Sequence, residues 1–128
     1  AVIDINGPTD LVRSLDENEL NDAFSYYMRI TPNIYFGDQE ASELARAVSP
    51  VHLVSESSPP TLILHGRQDT VVDVSESINL ADKLKAFDVP VELFLIDGAG
   101  HGLAPFDNEL LDDIIDRQIA FLLEHLPD

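Results

Sequence analysis

The sequence predicts an α/β fold, with about three parallel strands flanked by helices. Three observations predict it. Thr61-Leu62-Ile63-Leu64 is a continuous apolar run, which suits a strand covered on both faces, as in a parallel sheet. Residues 75–87 follow it with Ile78, Ala81, Leu84 and Phe87 near a 3.6-residue period. Val91 to Ile96 then forms a second apolar strand, and alternating strands and helices imply parallel pairing through crossovers.

Each element has its own signals. Ala1-Val2-Ile3-Asp4-Ile5 reads as a strand ended by Asn6-Gly7-Pro8. An insertion of helical character follows, over about residues 13–48. Within it Asp16-Glu17-Asn18-Glu19 caps a helix carrying Leu20, Ala23, Phe24, Tyr27 and Met28 on one side. Thr31-Pro32-Asn33 stops that helix, because proline disfavours helix in the residue before it. Tyr26, Tyr27, Tyr35 and Phe36 make this stretch the most aromatic of the chain. Residues 39–48 form a short helix with Leu44, Ala45 and Val48 on its apolar side, and Ser49-Pro50 ends it. Ser55 to Pro60 is a polar linker. Asp73 with Glu76 reads as a capping pair for the helix at 75–87, which Asp88-Val89-Pro90 stops. Residues 108–126 are the longest helix, with Leu111, Ile114, Ile115, Ile119, Leu122, Leu123 and Leu126 as its apolar residues.

Length and composition narrow the function. A chain of 128 residues fits one domain and buries roughly two-thirds of its unfolded surface. No stretch approaches the roughly 18 apolar residues of a membrane span, and no signal peptide is visible. Twenty-four acidic against 7 basic residues give a net charge of −17, which repels phosphate backbones and argues against nucleic acid as a partner. Cysteine is absent, so disulfides and thiolate metal sites are excluded. No histidine and carboxylate spacing suggests a metal, and no cofactor is expected. The compartment is not fixed, with a soluble cytoplasmic chain as the working expectation. The start at Ala1, inside an apolar run and without methionine, reads as truncation, processing or a fragment.

Two loops carry the chemistry. In open parallel sheets, functional groups gather beyond the carboxyl ends of the strands. Asp69 lies just past one such end, in Leu64-His65-Gly66-Arg67-Gln68-Asp69, and His101 lies past the other, in Gly98-Ala99-Gly100-His101-Gly102. Neighbouring strands are about 4.8 Å apart, so short loops bring a carboxylate to an imidazole. Such a carboxylate accepts from Nδ1, fixes the tautomer and stabilises the imidazolium. Read alone, each is an ordinary loop residue; the pair in this order and context gives the catalytic reading. His65 reads as structural, and His52 and His125 have no supporting context.

These segments resemble the C-terminal half of α/β-hydrolase esterases and lipases, in particular the acetylesterase-like and dienelactone-hydrolase-like branches. Leu64 to Asp69 resembles the family's acid loop and Gly98 to Gly102 its histidine loop. Ile5-Asn6-Gly7-Pro8-Thr9-Asp10-Leu11 resembles the segment after the strand that follows the nucleophile helix. Tyr35-Phe36-Gly37 and Ala47-Val48-Ser49-Pro50-Val51 resemble the lid or cap region returning to the sheet. The resemblance implies a partial α/β-hydrolase fold with a cap-like insertion at about 13–48, a serine hydrolase of carboxylic esters, Asp69 as triad acid and His101 as triad base.

The nucleophile is the departure. The family order is serine, acid, histidine, with the serine in G-x-S-x-G, and no such motif occurs in this sequence. Ser14, Ser25, Ser42 and Ser49 lack glycines at that spacing. The expectation is a chain that supplies acid and histidine, is inactive alone, and meets an ester substrate when the nucleophile half is supplied. The other reading is a non-catalytic assembly or binding module. In either case the strand at 1–5 is an unpaired edge, which implies a homo-oligomer.

Overall fold

The computed structural model describes residues 1–16, 18–31, 41–105 and 107–126. Three strands form one parallel sheet in the order β1-β2-β3: β1 is Val2–Ile5, β2 Thr61–Gly66 and β3 Val91–Ile96. Val2 stands beside Thr61 and Thr61 beside Val91, so all three strands start at one level. Their carboxyl ends therefore form a common rim. The helices are α1 (Leu11–Leu15), α2 (Ala23–Ile30), α3 (Ala41–Val48), α4 (Pro50–Leu53), α5 (Ser75–Ala86) and α6 (Asn108–His125), with a 3₁₀ turn at His101–Leu103.

Every residue of β2 is buried, as its unbroken apolar run requires. Leu62 and Leu64 pack on one face with Ile96, Leu103, Ile114 and Phe121, which places α6 there. Ile63 packs on the other with Leu80, Ala81 and Leu84 of α5 and with Val51 and Val89. Each such large side chain contributes roughly 1.5–3 kcal/mol on burial. A third cluster joins Met28 and Ala45 to Leu11, Leu15, Phe24 and Leu44, holding α1, α2 and α3 together between β1 and β2.

The segment between β1 and β2 departs from expectation. Asp16 does not cap a helix: its carboxylate accepts from Asn18 N in a turn, and α2 begins at Ala23 under Asp22, whose Oδ1 accepts from Ser25 N at 2.6 Å. The helix α1, capped by Asp10, went unread because five residues are too few to show a period. Tyr27 is exposed, while Met28 is buried. The helix α3 ends at Val48, before Ser49-Pro50 as expected, and the unexpected short helix α4 then starts with proline in its first turn. Pro32, Asn33, Tyr35, Phe36 and Gly37 lie outside the described residues.

The capping pair of α5 is also overturned. Asp73 Oδ1 accepts from Ser75 N, but the Glu76 side chain turns inward and is buried. It accepts from Thr9 N at 2.8 Å, from Asp10 N at 2.5 Å and from Arg13 Nη1 at 3.1 Å. Buried amides must be paired, and the loop after β1 takes the carboxylate from the helix start. In α6, Ile114 and Phe121 are buried while Leu111, Ile115, Ile119 and Leu123 are exposed, as is Leu126 just past its end.

Candidate active site

Asp69 and His101 meet at the carboxyl rim of the sheet, 32 residues apart in sequence, with Nδ1 of the imidazole 2.9 Å from Asp69 Oδ2. Backbone contacts between their loops set this distance. Arg67 N donates to Ile96 O at 3.0 Å and Gln68 N to Ala99 O at 2.9 Å. Gly66 makes the approach possible, since a Cβ there would stand 2.3 Å from Ala99 O and 2.5 Å from Gly100 O. The turn bearing His101 bends through left-handed Gly102 (φ 69°) and Leu103 (φ 63°), and the buried Leu103 side chain pins it to the core.

The Asp69 carboxylate is held on both oxygens. Oδ1 accepts from Val71 N at 2.8 Å and Val72 N at 2.9 Å. Oδ2 accepts from Asn6 Nδ2 at 2.9 Å as well as from His101. Burial opposes its ionisation, but hydrogen bonds from Val72 N, His101 and Val71 N and the histidine's charge outweigh it. The carboxyl is held below its ordinary range. His101 is the open partner, its side chain 45% exposed. In its neutral ring Nδ1 donates to the carboxylate, which leaves the lone pair of Nε2 free to take a proton.

His65 is fully buried, with Nδ1 2.6 Å from Ser77 Oγ and Nε2 3.0 Å from Val72 O. A carbonyl only accepts, so Nε2 carries the proton. Asp69 Oδ2 lies 3.3 Å from the same Nε2. His65 thus braces the acid loop from inside. His52 sits beside Asp10, and His125 stacks on Phe121, both away from this pair. Among the described residues no three His, Asp or Glu side chains gather as a metal would require.

Sequence reasoning missed two roles at this rim, that of Asn6 and that of Glu76, which it reads only as half of a helix cap. Both act across more than sixty positions, Asn6 on Asp69 and Glu76 on Thr9 and Asp10. The only local sign was Asn6 at a strand end, where asparagine tolerates the left-handed backbone it adopts (φ 55°). Of the candidate serines, Ser14, Ser25 and Ser49 are buried. Ser49 Oγ is committed, donating to Ala45 O and accepting from Leu11 N.

Comparison with known proteins relates this parallel sheet and its flanking helices to α/β-hydrolases, esterases among them. The BD-FAE family profile matches residues 1–84, so the chain belongs to the BD-FAE family. Alpha/beta hydrolase domain-containing protein 17B of Xenopus laevis is 29% identical over 93 residues, which are 73% of this chain and 30% of that protein. Esterase LipC of Mycobacterium tuberculosis is 33% identical over 66 residues, 51% of this chain and 16% of that protein. A truncated form of a carbohydrate esterase from gut microbiota superposes with a TM-score of 0.71 at 27% identity, over 93% of this chain and 41% of that one. Thermogutta terrifontis esterase 2, phosphonylated by sarin, gives 0.75 at 23% identity over 98% and 45%, which shows a shared fold. The chain thus spans about a third of the first of these relatives and under half of each solved structure. No helix among the described residues is long and apolar enough to cross a membrane.

Proposed function

We propose that this chain is the acid- and histidine-bearing portion of a serine-type hydrolase of carboxylic esters. The 2.9 Å contact between His101 Nδ1 and Asp69 Oδ2 carries the reading. Asp69 fixes the imidazole with its free lone pair on Nε2. From there His101 takes the proton of an attacking hydroxyl as the ester carbonyl is converted to an acyl-enzyme, and returns it to the leaving alcohol. The carboxylate stays ionised and stabilises the imidazolium in between. The nucleophile comes from a G-x-S-x-G segment that this sequence does not hold, and the oxyanion donors from the residue after that serine and from an earlier loop. Without that segment the chain is inactive. Residues 13–48 act as a cap over the substrate.

The test is hydrolysis of p-nitrophenyl acetate by the chain alone and by the chain with the nucleophile-bearing half of a BD-FAE relative fused before Ala1. The fusion should turn over and the chain alone should not. Asp69→Asn should lower kcat of the fusion by about 10⁴-fold and His101→Ala by about 10⁶-fold. An active fusion indifferent to both substitutions would sink the assignment.

A second reading, a non-catalytic assembly module, draws on one observation: among the described residues β1 pairs only with β2, and Val2 and Ile5 are 42% and 45% exposed. On that reading two copies join along their β1 edges about a two-fold axis.

A further inference from the structure

Asn6 is 3% exposed and lies one residue beyond the end of β1. Its backbone N–H continues the sheet pairing, donating to Leu64 O at 3.0 Å. Its side-chain amide has one orientation open to it, because a carboxylate only accepts: Nδ2 must face Asp69 Oδ2. We propose that Asn6 is a positioning residue for the acid–base pair, holding the particular carboxylate oxygen that His101 uses. The proposal rests on the reading of Asp69 and His101 as acid and base.

The need for such a residue follows from the surroundings of Asp69. Oδ1 is fixed by the amides of Val71 and Val72. Oδ2 faces two imidazoles, His101 at 2.9 Å and His65 at 3.3 Å. Held at Oδ1 alone, the carboxylate can rock between them. The Asn6 amide approaches from a third element and holds Oδ2 in place for His101. A neutral donor also suits the task better than a cation. Lysine or arginine there would neutralise the charge that has to stabilise the imidazolium, whereas an amide leaves it in place. Glu76 supports the arrangement from behind, since its carboxylate holds Thr9 N and Asp10 N, just past Asn6 in the same loop.

The experiment is NMR on this chain as it stands, so its outcome does not depend on ester turnover. In the parent chain, one Asn6 side-chain amide proton should be slow to exchange, and its shift should follow the titration of the Asp69 carboxyl carbon. Asn6→Gly keeps the left-handed backbone and deletes the donor, and Asn6→Asp replaces the donor with a like charge. In both, the Asp69 midpoint should move up, and His101 should lose its Nδ1–H tautomer preference. A merely structural residue would lower the melting temperature and leave Asp69 and His101 unmoved. Folded variants with an unchanged Asp69 midpoint and His101 tautomer would overturn the proposal. So would a parent Asn6 amide that ignores the titration, a result that needs no variant to fold. An inactive fusion enzyme alongside the expected NMR result would reject the hydrolase reading alone.

Discussion

Four hydrogen bonds converge on the carboxylate of Asp69, two on each oxygen. Its stability contribution follows a definite sign. A carboxyl held below its unfolded value stabilises the fold above that value, and the benefit is lost as pH falls through the folded value. Glu76 works in the opposite sense: burial raises it despite the amides of Asp10 and Thr9 and the charge of Arg13. Its contribution is fully present at acid pH and is lost as pH rises through its folded value. The difference in urea stability between the parent and Asp69→Asn isolates the Asp69 part. At neutral pH the parent should be more stable by about 2–3 kcal/mol, since an amide whose oxygen stays on Val71 N and Val72 N turns its NH2 toward the donors Asn6 Nδ2 and His101 Nδ1. The gap should narrow below about pH 4, and a gap independent of pH would contradict the linkage. Asp69 and His101 were legible in the sequence because each follows an apolar strand at a glycine-marked break. Asn6 and Glu76 were not, because their partners become neighbours only once three strands and α5 have assembled.

At the scale of elements, the loops after β2 and β3 behave as one unit. Gly66 is where they touch, and the Cβ of Gly66→Ala would meet the backbone carbonyls of Ala99 and Gly100. Backbone cannot swing aside as a long side chain does, so the loops must separate. The variant should lose about 2 kcal/mol or more of stability, and hydrogen exchange at Gln68 N, which donates to Ala99 O, should quicken. Unchanged protection at Gln68 would show that the contact is not required. The three strands and the two long helices were readable because length and apolar period agree over each of them. The local pattern at Asp73 and Glu76 suits a capping pair, but a buried loop competes for the glutamate and wins. In the insertion, short helices are specified by contacts among α1, α2 and α3 rather than by local pattern, so the cap falls to Asp22 and not to Asp16.

For the whole molecule, charge and apolar surface pull in opposite directions. The net charge of −17 opposes association of two copies, whereas on the assembly reading the β1 edge, which among the described residues pairs only with β2, would favour it. Salt screens the repulsion over about 10 Å at 0.1 M and leaves the strand edge unaffected. Light scattering should therefore show a dimer whose share grows as salt is raised. A monomer at every salt concentration would exclude the edge-paired assembly and leave the fused hydrolase reading untouched.

The outer stripe of α6 bears on how this protein is handled at the bench. Leu111, Ile115, Ile119 and Leu123 recur every fourth residue and face outward, Leu123 with 78% of its surface exposed. Fluorescent dyes that brighten on greasy surfaces should light up with the intact chain. Emission that in most proteins signals a loosened interior should here come from the native state as well, so a thermal scan followed by such a dye should start bright and blunt the melt.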